Sequence, residues 1–193
     1  MSDLLKVAFS QYGIQEIPGA QHNEQIVKYA AESGISGISD DDVPWCSTFV
    51  NWCAKKAGLQ YSGKPNARSW LGVGQKTTQP EPGDVAVFWR GRPQSWEGHV
   101  AIFLGFSPDA TRIFVIGGNQ GNKVSVASYR ADTLLAFQRL TEKPPIIAPD
   151  PILKKGDKGP KVIQLQNALN TIGINAGKAD GDFGPGTEKA VKE

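Results

Sequence analysis

The chain has 193 residues, 39% of them hydrophobic, enough for one core-bearing domain of ordinary size and a small second unit. Its formal net charge of +2, from 21 basic and 19 acidic side chains, argues against nucleic acid as the main partner. No run of about 18 apolar residues occurs, so no transmembrane helix is expected. Residues 1–20 also make a poor signal peptide, with an early Asp3 and no basic start, which predicts a chain made in the cytoplasm whose export needs another route.

Helical periodicity covers roughly residues 3–12 and 22–33, with the breaker IPGA between them and the loop-like ESGISGISDDD after them. VPWCSTFVNWCAKKAGL then carries Val43, Trp45, Phe49, Val50, Trp52, Cys53 and Ala57 as a helix stripe closed by Gly58. Beyond Trp70 the pattern changes. DVAVFWR (84–90), HVAIFLGF (99–106), RIFVIGG (112–118), KVSVASY (123–129) and LLAFQRL (134–140) read as strands separated by turn residues. Helices followed by a run of antiparallel strands predict an α+β domain over 1–143. Residues 144–151 form a Pro-rich linker, and 152–193 a small helical unit with Val162, Leu165, Leu169 and Ile172 at helix spacing. In that unit Thr187 is a candidate N-cap of a last helix, and the pattern breaks off inside this helix, so the unit is expected to be incomplete.

Only two cysteines are present, Cys46 and Cys53, seven residues apart in one helical pattern. That spacing separates them by about 10 Å along the axis, too far for a disulfide. The two histidines, His22 and His99, stand at no ligand spacing from a cysteine, so neither a metal site nor a cofactor is expected.

Cys46 follows Asp42, Val43 and Pro44, a preferred N-cap type and a first-turn residue, which predicts a thiol in the first turn of a helix. Free N–H groups and the helix dipole there favour a thiolate, lowering its pKa. The competing reading of Cys46 is a small buried hydrophobe, and for Cys53 that reading prevails. His99 opens a strand after Gly98, which permits close approach, and is the candidate general base; His22 reads as a residue near a helix cap. GGNQG (117–121) ends the next strand, where Asn119 is the candidate partner of the imidazole, with Gln120 as the alternative. GGNQG is also good turn chemistry, the other reading of Asn119.

VPWCSTFVNWC, RSW, PEPGDVAVFWR, GHVAIFLG and IGGNQGNKVSVASY, in this order, resemble the CHAP and NlpC-type cysteine peptidases that cut bacterial cell-wall peptidoglycan. The resemblance covers most of residues 1–140. It implies a papain-like fold with N-terminal helices packed on an antiparallel sheet, with Cys46 as nucleophile, His99 as base and Asn119 as polar orienter. Asp84 matches a structural position. The sequence departs from the family twice. Gly117 stands where many CHAP domains carry Glu, and Trp45 where many carry the Gln that completes an oxyanion hole. LKKGDKGPKVIQLQNALNTIG and DGDFGPGTEKAV resemble the small helical peptidoglycan-binding domain, with DGDFG read as a turn rather than a calcium loop.

Together the resemblances imply a monomeric hydrolase of wall peptides, of phage-lysin type, acting on the wall after release or delivery. Trp45, Trp70, Trp96 and Gln120 are the candidate substrate-binding residues, with core packing as the equal reading of Trp45 and Trp70, and peptidoglycan is the expected partner, with no membrane insertion. Acyl transfer to an amine and non-catalytic wall binding are the alternatives.

Overall fold

The computed structural model describes residues 2–19, 21–142 and 152–192, in two units, Met1–Lys143 and Pro144–Glu193. The segment 144–151 read as a linker lies outside the described residues.

In the first unit α1 (Asp3–Ser10) starts where the Ser2 side chain accepts from Leu5 N, and it buries Leu4, Leu5 and Ala8 on one face. Helix α2 (Glu24–Glu32) is capped by Asn23 and buries Ile26, Tyr29 and Ala30. Both are slightly shorter than their periodicity suggests, and Gly13 and Gly34 turn the chain just beyond them with φ of 88° and 75°. His22 is not the cap; its Nδ1 lies 3.1 Å from Asp41 Oδ1.

Helix α3 (Cys46–Lys56) is buried from Cys46 through Ala54, so its polar residues need internal partners. They have them. Ser47 Oγ donates to Lys64 O at 2.8 Å, and Asn51 donates to Ser47 O and accepts from Gly63 N. The helix start is thereby tied to the 62–66 loop.

Strands β1 (Gln75–Thr77), β2 (Val85–Trp89), β3 (Gly98–Phe106), β4 (Arg112–Gly117), β5 (Ser125–Arg130) and β6 (Leu134–Arg139) form one antiparallel sheet in the order β1-β6-β2-β3-β4-β5. Strand β1 went unread in the sequence because three exposed or half-exposed residues carry no alternation. One face, with Val85, Val87, Val100, Ile102 and Ile116, packs against α1–α3. The other buries Ala86, Phe88, Ala101, Phe103, Ile113, Val115 and Phe137. Among the described residues no α-helix contributes to that second cluster; the sheet covers it by curling. Strands β2 and β5 are three places apart, about 14 Å in a flat sheet, yet Phe88 and Tyr129 stack at 4.9 Å between ring centroids. The expected α+β fold, helices on an antiparallel sheet, is present.

Asp84, immediately before β2, is structural: it accepts from Arg139 Nη2 at 2.9 Å and from Glu81 N at 2.8 Å. Gly118 shows how tightly α3 meets the sheet. A Cβ built there would stand 2.6 Å from Trp45 Cε3 and 2.7 Å from Phe49 Cβ. Gly118→Ala should therefore destabilise the unit by about 1–3 kcal/mol through overpacking. A thermal melt checks this, and a variant that unfolds with the wild type would contradict the packing described.

In the second unit α4 (Pro160–Thr171) and α5 (Pro185–Val191) enclose a small core of Leu169, Ala176 and Ala190. Both helices begin with proline, so the cap of α5 is Gly184 and not Thr187, which is buried and accepts from Gln166 Nε2 at 3.0 Å. Gln166 also donates to Asp180 Oδ1 and accepts from Gly181 N, while Asp182 pairs with Lys158 Nζ at 2.8 Å. The DGDFG carboxylates are thus engaged in turn and helix contacts.

Candidate active site

The DDD run fixes the approach to α3. Asp41 is fully buried, its carboxylate accepting from Ile17 N at 3.1 Å and Asn23 N at 2.9 Å. Burial pushes its pKa up, but the hydrogen bonds from Asn23, His22 and Ile17 more than offset this and hold it below the ordinary 3.8. With Asp41 so anchored, the chain reaches α3 at Trp45, which takes the N-cap position without a side-chain cap; Asp42 does not cap the helix. An uncapped helix start leaves N–H groups unengaged. Those of Cys46 and Ser47, with the Val100 N–H of β3, act to lower the pKa of the Cys46 thiol.

Cys46 is 5% exposed and lies on the wall of a cleft of about 390 Å³, lined by Val43, Pro44, Asn66, Ala67, Arg90, Trp96 and Gly98 among others. Both cysteines are free thiols. Burial pushes the Cys46 thiol above the ordinary 9.0, opposed by the Val100 N–H, by Arg90 and by the helix N–H groups. This corrects the sequence expectation of a lowered value: the helix start acts as foreseen, but desolvation outweighs it. Cys53, without such contacts beyond its own N–H, is driven further up by burial and belongs to the core.

His99 pairs with Phe88 across β2 and β3 and is fully buried. Gly98 beside it is needed for close packing, since a Cβ there would stand 2.8 Å from Phe88 O and 3.4 Å from Arg68 Cγ. The His99 ring stacks on Tyr129 at 4.7 Å. Its Nε2 lies 3.1 Å from Gln120 Oε1. The Gln120 amide nitrogen donates to Ser125 O, which leaves its oxygen for the imidazole. Nε2 therefore carries the proton, and Nδ1 is the unprotonated nitrogen, facing Arg90 Nη2 at 3.4 Å. Among the described residues the Cys46 sulfur has no direct hydrogen bond to the ring. Arg90 acts on both groups, and Val100, whose N–H acts on the Cys46 sulfur, follows His99 directly in β3.

The third position goes to Gln120. Asn119 sits in the turn after β4 with φ 55°, half-exposed, and does not bond to His99; the turn reading explains it. Gly117 accounts for the change. A Cβ at that position would stand 3.2 Å from Gln120 Oε1 and 2.7 Å from Ala101 Cβ, so the absence of a side chain at 117 leaves the space that the Gln120 amide fills.

Of the substrate-binding candidates, Trp45 and Trp70 are fully buried and do not face the cleft. Trp45 packs on Tyr29 and Phe49 and donates to Glu16, and Trp70 donates to Ser47 Oγ at 3.0 Å, steadying the residue after the thiol. Gln120 is also buried and is occupied by His99. Trp96 is 81% exposed at the cleft. Sequence reasoning missed Arg90 and Tyr129. Arg90 was detectable only through register: it follows β2, whose Trp89 pairs with Gly98. Among the described residues no group of His, Cys, Asp and Glu is placed to hold a metal ion, and no helix is long and apolar enough to cross a membrane.

Residues 38–119 match the family model described as CHAP domain, a match ending one residue before Gln120. Residues 158–193 match the peptidoglycan binding domain. Among solved structures, a protein of the NLP/P60 family described as similar to lipoprotein, from Staphylococcus aureus subsp. aureus Mu50, superposes with a TM-score of 0.38 at 18% identity. The alignment covers 64% of this chain and 44% of that one, so the chain spans less than half of that protein's length. Two family models thus match the chain in sequence order, the one described as CHAP domain in the first unit and the one described as peptidoglycan binding domain in the second.

Proposed function

We propose that the first unit hydrolyses an amide bond in the peptide part of bacterial peptidoglycan, with Cys46 as nucleophile and His99 as base. One observation carries the reading. A thiol in the first turn of α3 opens onto a cleft lined by Gly98 and Arg90, and the imidazole that follows Gly98 holds its proton on Nε2 toward Gln120, leaving Nδ1 unprotonated. As Sγ attacks the carbonyl carbon, the thiol proton passes to His99 Nδ1, and the Cys46 N–H stands at the helix start for the oxyanion. The C–N bond then breaks as Nδ1–H protonates the leaving amine, and water releases the acid from the thioester.

The peptidoglycan-binding match supports the choice of polymer, because a tethered binding module raises the hydrolase concentration at the wall. Exposed Trp96 offers a flat apolar surface at the cleft for the substrate. The reading includes a lysin-type role, reached after release or delivery. Mass spectrometry of digested purified walls tests it. New free amino and carboxyl ends are expected at the muramoyl–alanine bond, in the stem or in the cross-bridge, and the position identifies the bond. New reducing sugar ends without peptide cleavage would refute the reading.

A further inference from the structure

The site contains one cation that neither family match assigns. Arg90 follows the last residue of β2, is solvent-exposed and lines the cleft with Cys46. Its Nη2 lies 3.4 Å from His99 Nδ1, and its charge acts on the Tyr129 phenol, whose ring stacks on His99. Among the described residues Arg90 makes no ion pair: Glu97, the carboxylate bordering the cleft, accepts from Ser95 Oγ at 3.3 Å. The guanidinium thus stands against the imidazole on the cleft it shares with the thiol.

We propose that Arg90 is a positioning residue of this site: set against the His99 imidazole on the cleft it shares with Cys46, it supplies the counter-charge of the Cys46 thiolate as the thiol proton passes to Nδ1. The consequence is a division of labour. In a thiolate–imidazolium pair one histidine both stabilises the sulfur and holds the proton. Here the stabilising charge is permanent, the resting thiol keeps its proton, and Arg90 Nη2 yields Nδ1 as that proton arrives. A proton that reaches Nδ1 during attack sits beside a like charge, which speeds its transfer to the leaving amine. The groups facing the sulfur agree with this assignment: Arg90 lowers its pKa, Tyr129 is coupled to it, and burial acts against it.

The inference rests on Cys46 being the nucleophile, and the test separates the two. Iodoacetamide alkylation of the Cys46 peptide is followed by mass spectrometry against pH in the full chain, for wild type, Arg90→Gln, Arg90→Lys and Tyr129→Phe. Arg90→Gln should raise the alkylation midpoint by about one pH unit, the lower end for an opposite charge because the group is exposed. Arg90→Lys should restore most of that shift, and Tyr129→Phe should give a smaller one. Wall turnover of Arg90→Gln should fall by roughly 10–100-fold, in kcat rather than KM. With two histidines in the chain, the His99 ring is also readable by NMR, and its titration should move up in Arg90→Gln. An unchanged alkylation midpoint in Arg90→Gln, or in Tyr129→Phe should the first variant fail to fold, overturns the proposal while leaving the nucleophile assignment intact. A wild-type Cys46 that shows no pH-dependent reactivity overturns both.

Discussion

Cys46→Ala abolishes wall cleavage while leaving the folded protein and its wall binding in place. Loss of a nucleophile from a unit acting in concert costs on the order of 10⁴-fold or more in turnover, since what remains is binding and the oxyanion donors. The structural cost is small. Alanine is a good helix former, the replaced thiol makes no hydrogen bond to the ring, and its removal costs about 1 kcal/mol. Cys53→Ala is the internal control, because Cys53 is fully buried in the core and away from the cleft. That variant should lose stability and keep its activity. The measurements are turbidity loss of purified walls, a thermal melt and a pull-down on the same walls. Walls cleared by Cys46→Ala at near the wild-type rate would remove Cys46 from the chemistry and leave the chain as a wall-binding protein.

Much of the site was legible because its residues sit on elements with strong periodicity. The α3 stripe has Phe49, Val50, Trp52 and Cys53 at helix spacing, and the strands have Val85, Val87, Phe88 and Trp89, then Val100, Ile102, Phe103 and Phe106, so Cys46 and His99 could be assigned to a helix start and a strand start. What failed was local chemistry decided by tertiary contacts. Asp42 has the composition of an N-cap, but Asp41 is the residue drawn inward to Ile17 and Asn23, which shifts the helix start to Trp45. Trp45 and Trp70 kept both a groove and a core reading because sequence does not say which way a tryptophan faces.

The Asn119–Gln120 choice has the same origin. Extending the β3–β4 register, with Ile102 opposite Ile116, brings residue 119 level with His99. The strand ends at Gly117, however, and the positive φ of Asn119 turns the next side chain inward instead. Arg90 and Tyr129 were out of reach for a different reason. Their meeting depends on the curl that carries β5 over to β2, a global property that no window of sequence encodes.

The buried imidazole gives the second large effect, in both stability and rate. Burial, then the charge of Arg90, pushes the His99 pKa from the ordinary 6.5 down to about 3, against the stabilising pull of Gln120. Between those values the unfolded chain binds a proton at this residue and the folded chain does not, so stability falls as pH falls through the window. At about 1.4 kcal/mol per unit, the loss from pH 6.5 to 5 is on the order of 2 kcal/mol, or roughly 5–10 °C in Tm for a unit of this size. The interval lies above the carboxylate range, and Asp41, whose pKa is below 3.8, adds its own loss only at lower pH. His99→Gln, which has no such titration, should flatten the dependence between pH 7 and 5. The same shift keeps Nδ1 available as a base in acid, so kcat/KM on a soluble wall peptide should persist at pH 5, where an ordinary histidine would be mostly protonated. A Tm unchanged from pH 7 to 5 in the wild type, or a His99 ring titrating near 6.5, would contradict the neutral, enclosed imidazole on which both effects depend.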